Sequence, residues 1–141
     1  MATYLEHANI TVPDVGAAIR FLMQVDPTFV VRYDGISDRD YRWAHIGNEN
    51  FYIALEEPHQ SDGTLQEKRT YQDYGVNHIG WVVEDFDAAF ARLEAGGYRQ
   101  GQLPDPHPWR KRAYFYDEAG FEWEILGYQS DSPEERNSYS D

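Results

Sequence analysis

The chain repeats itself, and this repeat constrains its fold more than any other feature. When the sequence is shifted by 71 residues, the segment around His7 aligns with the segment around His78. The identical pairs are His7 with His78, Val12 with Val83, Asp14 with Asp85, Ala17 with Ala88, Ala18 with Ala89 and Leu22 with Leu93. A shift of 70 then aligns Arg42 with Arg112, Phe51 with Phe121 and Leu55 with Ile125. The chain therefore contains two copies of one structural unit.

Each copy has the pattern of a strand, a helix and three further strands. Alternating polar and apolar residues from His7 to Val12 predict a half-buried strand. Asp14 and Asp85 each precede apolar residues at helical spacing, so each is expected to cap a helix. The other predicted strands are 29–33, 42–46 and 51–56 in the first copy, and 98–102, 113–116 and 121–126 in the second. The unit is therefore βαβββ, used twice, in an α+β fold.

The boundaries of the two copies follow from composition. We predict one domain over residues 1–128, with module one at 4–57, a polar connection at 58–73 and module two at 74–128. Residues 103–112 contain three prolines and predict an irregular loop. Residues 129–141 are acidic and almost without apolar side chains, which predicts a flexible tail.

Charge and cysteine content narrow the range of partners. The chain has 12 Lys and Arg residues against 25 Asp and Glu residues, a net charge of −13 that repels nucleic acid and anionic membranes. It contains no cysteine, so any metal must be bound by histidine, carboxylate or amide oxygen. No segment has the length and apolarity of a signal peptide or a membrane span. We expect a cytoplasmic protein with a small-molecule substrate.

Two histidines and a glutamate form the candidate site. His7 and His78 occupy equivalent places on the two first strands, which a pseudo-twofold arrangement would bring to a shared cleft. On the last strand of module two, Glu122 and Glu124 share one face. Two imidazoles and a carboxylate in one cavity suit a divalent metal. Alternatively, each histidine is a hydrogen-bonded residue of the core.

Three segments carry a family resemblance. They are the pattern HxxxxVxDxxxA near the start, NHIGWVVEDFDAAFARLEAGG in the middle and YFYDEAGFEWEIL near the end. Together they resemble the vicinal oxygen chelate superfamily, which includes glyoxalase I, extradiol dioxygenases, methylmalonyl-CoA epimerase and antibiotic-resistance proteins, over residues 4–128. The resemblance implies paired βαβββ modules that form an open, barrel-like mixed sheet around a metal cleft, and a homodimer. It places the ligand positions at His7, Ala54, His78 and Glu124.

Ala54 departs from the four-ligand members of this superfamily, because alanine has no donor atom. The remaining set, His7, His78 and Glu124, is the combination that suits non-haem iron(II) and leaves positions open for substrate and dioxygen. We expect Fe²⁺, with Zn²⁺, Ni²⁺ or Mn²⁺ as alternatives. Glu56 shares a strand face with Ala54 and supplies a fourth ligand if the register is shifted.

Two further residues resemble catalytic positions of extradiol dioxygenases. Tyr114 precedes Glu124 by ten residues, and His107 precedes Tyr114 by seven, a spacing that the extradiol pattern allows. The resemblance assigns a hydrogen bond to the substrate to Tyr114 and proton transfer to His107. Asp105, Ala113 and Glu118 depart from that pattern. Alternatively, His107 is an exposed loop residue and Tyr114 packs in a strand.

We predict a divalent-metal-dependent enzyme that acts on a small molecule with two vicinal oxygens. Extradiol-type ring cleavage by dioxygen is favoured, because Ala54 removes one ligand and because His107 and Tyr114 fall at suitable spacings. Three alternatives stay open. One is a glyoxalase-like lyase or isomerase, and another is a metal-free binding protein that sequesters its ligand, similar to the bleomycin-resistance proteins. The third is a module of this family whose metal site no longer works.

Overall fold

The computed structural model describes residues 2–59 and 68–139 of the chain. It divides the chain into two compact units, residues 1–69 and residues 70–141. Each unit holds one of the two sequence repeats. The middle of the predicted connection, residues 60–67, lies outside the described residues.

Unit one is a four-stranded mixed sheet with one helix. Its elements are β1 (His7–Thr11), α1 (Val15–Val25), β2 (Val30–Ile36), β3 (Arg42–Gly47) and β4 (Tyr52–Glu56). The strand order is β1-β4-β3-β2. β1 is parallel to β4, because the chain returns through α1, whereas the hairpin pairs β4 with β3 and β3 with β2 are antiparallel.

Unit two repeats this topology. Its elements are β5 (His78–Val82), α2 (Phe86–Ala95), β6 (Arg99–Gln100), β7 (Arg110–Tyr116), β8 (Glu122–Tyr128) and the short helix α3 (Pro133–Arg136). The strand order is β5-β8-β7-β6, again with the first strand parallel to the last. Both sheets are open, so the predicted α+β class and the two βαβββ modules are confirmed.

The two long helices begin as the sequence predicts. The carboxylate of Asp14 accepts a hydrogen bond from the backbone N–H of Ala17, and that of Asp85 accepts one from Ala88, each at 3.0 Å. The helices differ in burial. Six residues of α1 are buried and only two of α2, Ala89 and Leu93. The core of unit one therefore rests more heavily on its helix.

Strand register corrects one detail of the repeat. Trp43 pairs with Glu56, and Arg112 pairs with Leu126 at the corresponding place in unit two. Arg112 therefore corresponds to Trp43, and the alignment of Arg42 with Arg112 is wrong by one residue. The offset changes from 69 to 70 across the turn before the last strand, where unit two contains one extra residue, Gly120 at φ +84°. Glycine adopts this left-handed conformation without steric cost.

The C-terminal segment differs from the flexible tail predicted at 129–141. α3 lies within it, and the Ser138 carbonyl accepts hydrogen bonds from Arg110 and from the Nε2 of His107. The guanidinium of Arg136 lies over the ring of Tyr128. Charged and aromatic side chains make these contacts, and the segment contains few apolar residues. The hydrophobic pattern therefore did not indicate them. The predicted loop at 103–112 also ends early, since β7 begins at Arg110.

None of the helices within residues 2–59 and 68–139 has the length and apolarity needed to cross a membrane.

Candidate metal centre

In unit two, polar side chains gather on one face of the sheet. Side chains alternate between faces along a strand, so Trp123 and Ile125 on β8 lie on one face and Glu122 and Glu124 on the other. Register places His78 beside Glu122, and Glu124 opposite Tyr114. His78, Glu122, Glu124, Tyr114 and Tyr71 are together called the polar face.

His78 and Glu124 come into contact on the polar face. The Nε2 of His78 lies 3.3 Å from Oε2 of Glu124. Glu124 is only 8% exposed, so its carboxylate has little access to solvent. A buried carboxylate needs a hydrogen-bond donor or a cation beside it, because burial without a partner is costly. Sequence predicted both residues as ligands, and strand pairing within unit two brings them together.

Glu122 lies deeper and has different partners. It is 3% exposed. The Tyr71 hydroxyl donates to its Oε1 at 2.7 Å, and the Tyr116 hydroxyl donates to its Oε2 at 3.3 Å. Tyr71 also lies 3.1 Å from the Nδ1 of His78. Both oxygens of Glu122 are therefore engaged by tyrosines, whereas Glu124 faces the other nitrogen of His78.

The two tyrosines nearest the carboxylates are held as neutral hydroxyls. Burial and the neighbouring Glu124 raise the pKa of Tyr114. Burial and the hydrogen bond to Glu122 raise the pKa of Tyr71. Ionising either phenol would place a second negative charge beside a carboxylate, so each stays a hydrogen-bond donor at neutral pH. The ring of Tyr114 also packs edge-on against His78, with centroids 5.3 Å apart.

Gly80 lies directly beside Glu124 and presents no side chain to it. It lies two residues after His78 on β5 and pairs with Glu124. A Cβ at this position would stand 3.5 Å from Oε2 of Glu124 and 3.1 Å from a methyl carbon of Leu126. The glycine thus keeps a side chain away from the carboxylate oxygen that faces His78.

The corresponding face of unit one carries aromatic rings instead. A row of rings crosses the four strands, each ring packed on the next with centroids 4.1 to 5.1 Å apart. The rings belong, in order, to Tyr33, Trp43, His45, Tyr52 and His7. Burial lowers the pKa of His45, which keeps this imidazole neutral. This aromatic row contains no carboxylate.

The predicted positions of unit one fall on this face as follows. His7 stacks on Tyr52, and its Nδ1 lies 2.9 Å from a carboxylate oxygen of Glu6. Ala54 is buried and pairs with Asn9, as Glu124 pairs with Gly80 in unit two. Strand register thus agrees with the alignment that equates Ala54 with Glu124.

The carboxylate of Glu56, the candidate fourth ligand, contacts His59. It pairs with Thr11, four residues along β1 from His7, and a strand rises by about 3.3 Å per residue. Its carboxylate lies 2.8 Å from the Nε2 of His59. The strand register is the unshifted one, so Glu56 lies four residues along the sheet from His7. Its carboxylate already has a partner in His59.

Both ring nitrogens of His107 contact the backbone. Its Nδ1 accepts from the N–H of Trp109 at 3.2 Å, and its Nε2 lies 3.1 Å from the carbonyl oxygen of Ser138. A neutral imidazole protonated at Nε2 satisfies both contacts. These two contacts give His107 a structural role in this segment. Proton transfer by His107 stays a prediction.

The fit of a metal to the polar face depends on which nitrogen of His78 carries the proton. Tyr71 has one hydroxyl proton, which it gives to Glu122, so Nδ1 of His78 must donate to Tyr71. In the neutral ring, Nε2 then presents its lone pair to the carboxylate of Glu124. Two acceptors at 3.3 Å repel each other unless a cation or proton lies between them. The donor set therefore fits a divalent cation. Within residues 2–59 and 68–139, no group of three or more histidine, aspartate or glutamate side chains could hold a metal ion.

The sequence profile of the Glyoxalase/Bleomycin resistance protein/Dioxygenase superfamily matches residues 4–125. The chain belongs to this superfamily. The resemblance read from the three sequence segments is thereby confirmed, and the match covers module one and all of module two except residues 126–128. None of the curated proteins matches the chain.

Solved structures of the same fold extend over nearly the whole chain. A glyoxylase/bleomycin resistance protein/dioxygenase domain from Frankia sp. EAN1pec is 20% identical, with a TM-score of 0.71, and the match covers 92% of this chain and 100% of that one. The fosfomycin resistance protein FosX from Listeria monocytogenes, complexed with Mn(II) and sulfate, is 19% identical with a TM-score of 0.65 over 98% and 100%. FosX from Mesorhizobium loti is 20% identical with a TM-score of 0.64 over 96% and 98%.

Sequence reasoning gave little weight to Glu122 and none to Tyr71. Glu122 was visible as an acid on the same strand face as Glu124, in a strand that is otherwise apolar. Tyr71 carried no signal, because it lies in the polar connection, before β5 begins.

Proposed function

We propose that this protein is a divalent-metal-dependent enzyme that acts on a small molecule with two vicinal oxygens, and that His7, His78 and Glu124 bind the metal. The observation that carries the proposal is the 3.3 Å approach of Nε2 of His78 to the buried carboxylate of Glu124. Gly80 supports it, since a glycine at this position keeps a side chain away from the same carboxylate oxygen.

The identity of the metal is part of the proposal. Two imidazoles and one carboxylate suit iron(II), which is the first choice here. Manganese(II) is the first alternative, because FosX from Listeria monocytogenes, which shares the fold, was solved with Mn(II). Zinc and nickel are the remaining candidates, since imidazole binds both.

The residues of the polar face would bind and orient the substrate. A bound divalent ion supplies Lewis acidity, which lowers the pKa of hydroxyl groups on the substrate. Tyr114, whose pKa is raised by burial and by the neighbouring Glu124, would donate a hydrogen bond to the substrate. Glu122 would act through the tyrosine hydroxyls that donate to its two oxygens.

Within this chemistry we favour extradiol-type cleavage, in which both atoms of dioxygen enter the ring-opened product. Ala54 offers no donor at the fourth ligand position, and Glu56 is paired with His59. A three-ligand site leaves room for two substrate oxygens and for dioxygen. A homodimer and a cytoplasmic location belong to the proposal as predictions.

The test is a metal titration with matched variants. Protein without a His-tag is stripped with chelator under anaerobic conditions and titrated with Fe(II), Mn(II), Zn(II) and Ni(II). Because loss of a group that merely orients a ligand costs about 10 to 100-fold, Glu124→Ala is expected to weaken binding by more than ~100-fold. Glu56→Ala is the control, and its affinity should match that of the unmodified protein. His7→Ala tests the third ligand in the same titration.

Activity assays then separate the reaction classes. Oxygen uptake with a panel of catechols by the Fe(II)-loaded protein supports ring cleavage. Turnover of hemithioacetals or epoxides without oxygen uptake replaces it with a lyase or isomerase. If the unmodified protein binds none of the four candidate metals, the metal proposal is wrong and a ligand-sequestering role takes its place.

A further inference from the structure

We propose that Tyr71 and Glu122 hold the ring of His78 in the form protonated at Nδ1, so that Nε2 is the free donor on the side of Glu124. We call the chain His78, Tyr71, Glu122 the tyrosine relay. The inference rests on the proposed function, because it assigns Nε2 to the metal. It concerns two positioning residues that need not touch the substrate.

The direction of the hydrogen bonds follows from the donors present. The carboxylate of Glu122 accepts only, so the 2.7 Å contact is a donation from the Tyr71 hydroxyl. The tyrosine oxygen then has only lone pairs to offer to Nδ1 of His78 at 3.1 Å. Nδ1 must therefore carry the proton. In metalloproteins, a group that accepts from the other ring nitrogen of a ligating histidine fixes its tautomer and orientation.

Burial makes Glu122 an effective end of the relay. Its side chain is 3% exposed, and its second oxygen accepts from Tyr116 at 3.3 Å. The carboxylate itself lies 3.8 Å from Nδ1 of His78, beyond direct hydrogen-bond distance, so Tyr71 bridges the gap. Both oxygens of this carboxylate accept hydrogen bonds from tyrosine hydroxyls, which hold it in place.

The backbone around Tyr71 is arranged to present its hydroxyl. Tyr71 has φ +65°, which is unusual for a residue other than glycine. Its backbone N–H donates to the side-chain oxygen of Asn77 at 2.7 Å, which closes the turn that leads into β5. Strained backbone is retained where surrounding contacts enforce it. Here the conformation carries the tyrosine back over the first residue of the strand.

The described part of unit one, residues 2–59 and 68–69, has no such relay. Nδ1 of His7 contacts Glu6, its exposed sequence neighbour, at 2.9 Å. Tyr52 occupies the register position that Glu122 has in unit two. The relay is therefore a property of one module and not of the repeated fold.

The first experiment reads the tautomer directly. Protein labelled with ¹⁵N-histidine is studied by NMR without metal at about pH 9, well above the ordinary pKa of imidazole. His78→Gln identifies the resonances. The relay predicts the Nδ1-protonated form of His78 in the unmodified protein. Tyr71→Phe is expected to produce a mixture of tautomers. Tyr116→Phe is the matched control, because Tyr116 contacts Glu122 but not His78, and its spectrum should be unchanged.

The second experiment is Mn(II) affinity of the same proteins. Tyr71→Phe should weaken binding by about 10 to 100-fold, the usual cost of losing a group that orients a ligating histidine. Tyr116→Phe should change it less than Tyr71→Phe does. An unchanged tautomer in Tyr71→Phe overturns the relay, as does an Nε2-protonated His78 in the unmodified protein. Equal losses of affinity in both variants would also overturn it, since they would indicate a general structural effect.

The two proposals fail in different ways. If the unmodified protein binds none of the four candidate metals, the proposed function is wrong, and the tautomer measurement still decides whether Tyr71 orients His78. If metal binds normally and Tyr71→Phe changes neither the tautomer nor the affinity, the proposed function stands and the relay is wrong.

Discussion

The two modules share a topology and a helix cap, but their polar strand positions carry different chemistry. In unit two a buried Glu124 faces His78, with Glu122 and tyrosines around them. In unit one the same register position is Ala54, on a face covered by a row of aromatic rings. A repeated fold therefore specifies positions, whereas the side chains at those positions differ: a buried carboxylate beside a histidine in unit two, and an alanine among aromatic rings in unit one. Four experiments test this comparison.

The most severe test moves the carboxylate to the other module. Ala54→Glu places a carboxylate at the register position of Glu124, opposite the neutral His45. No tyrosine hydroxyl corresponds to that of Tyr114 there. We expect the free energy of unfolding to fall by roughly 4 kcal/mol, within the range for a buried polar group without a partner. Chemical denaturation measures it. Unchanged stability would show that the two faces are equivalent in polarity.

The turn before the last strand offers a matched pair. Asp117 accepts from the N–H groups of Ala119 and Phe121 and from the indole of Trp123. Asn48, its counterpart, accepts only from two backbone N–H groups. Asp117→Ala should lower the free energy of unfolding by roughly 3 kcal/mol and Asn48→Ala by about 1 kcal/mol, because the first substitution also removes the acceptor of a buried indole N–H. Urea denaturation of both variants decides. Equal losses would mean that the indole contact contributes nothing.

Acid should act on unit one through His45. Burial, followed by repulsion from His7 and Arg32, lowers the pKa of His45 below its ordinary value of 6.5. The unfolded chain therefore binds this proton more readily, and the stability that the neutral imidazole contributes is lost as the pH falls below about 6.5. His45→Gln should flatten this part of the stability profile, measured without metal. An identical slope in the variant would contradict the assignment.

The smallest expected effects are those of the helix caps. Asp14→Ala and Asp85→Ala each remove one side-chain hydrogen bond to the first turn, at 3.0 Å in both modules. Each should lower the unfolding free energy by about 1 kcal/mol. Thermal denaturation of the pair measures whether the modules respond alike. A much larger loss at Asp14 would mean that its proximity to Arg42 also matters.

Local patterns in the sequence were sufficient for most of the fold. The repeat, the alternation in β1 and the aspartates before each helix predicted the βαβββ order, because these signals depend on neighbouring residues. The extra residue at Gly120 explains why the alignment slipped at Arg42. The order of the C-terminal segment was missed, because the carbonyl of Ser138 is held by Arg110, which is distant in sequence.

The candidate site divides along the same line. The sequence by itself determined that His7, His78 and Glu124 occupy equivalent or adjacent strand positions, and that Ala54 has no donor atom. Only the tertiary structure decided which groups meet: Glu124 contacts Nε2 of His78, and Tyr71 bridges Nδ1 to Glu122. The physical reason is that periodicity specifies the face on which a side chain lies. Hydrogen-bond partners depend on strand register and on loops that return from elsewhere in the chain.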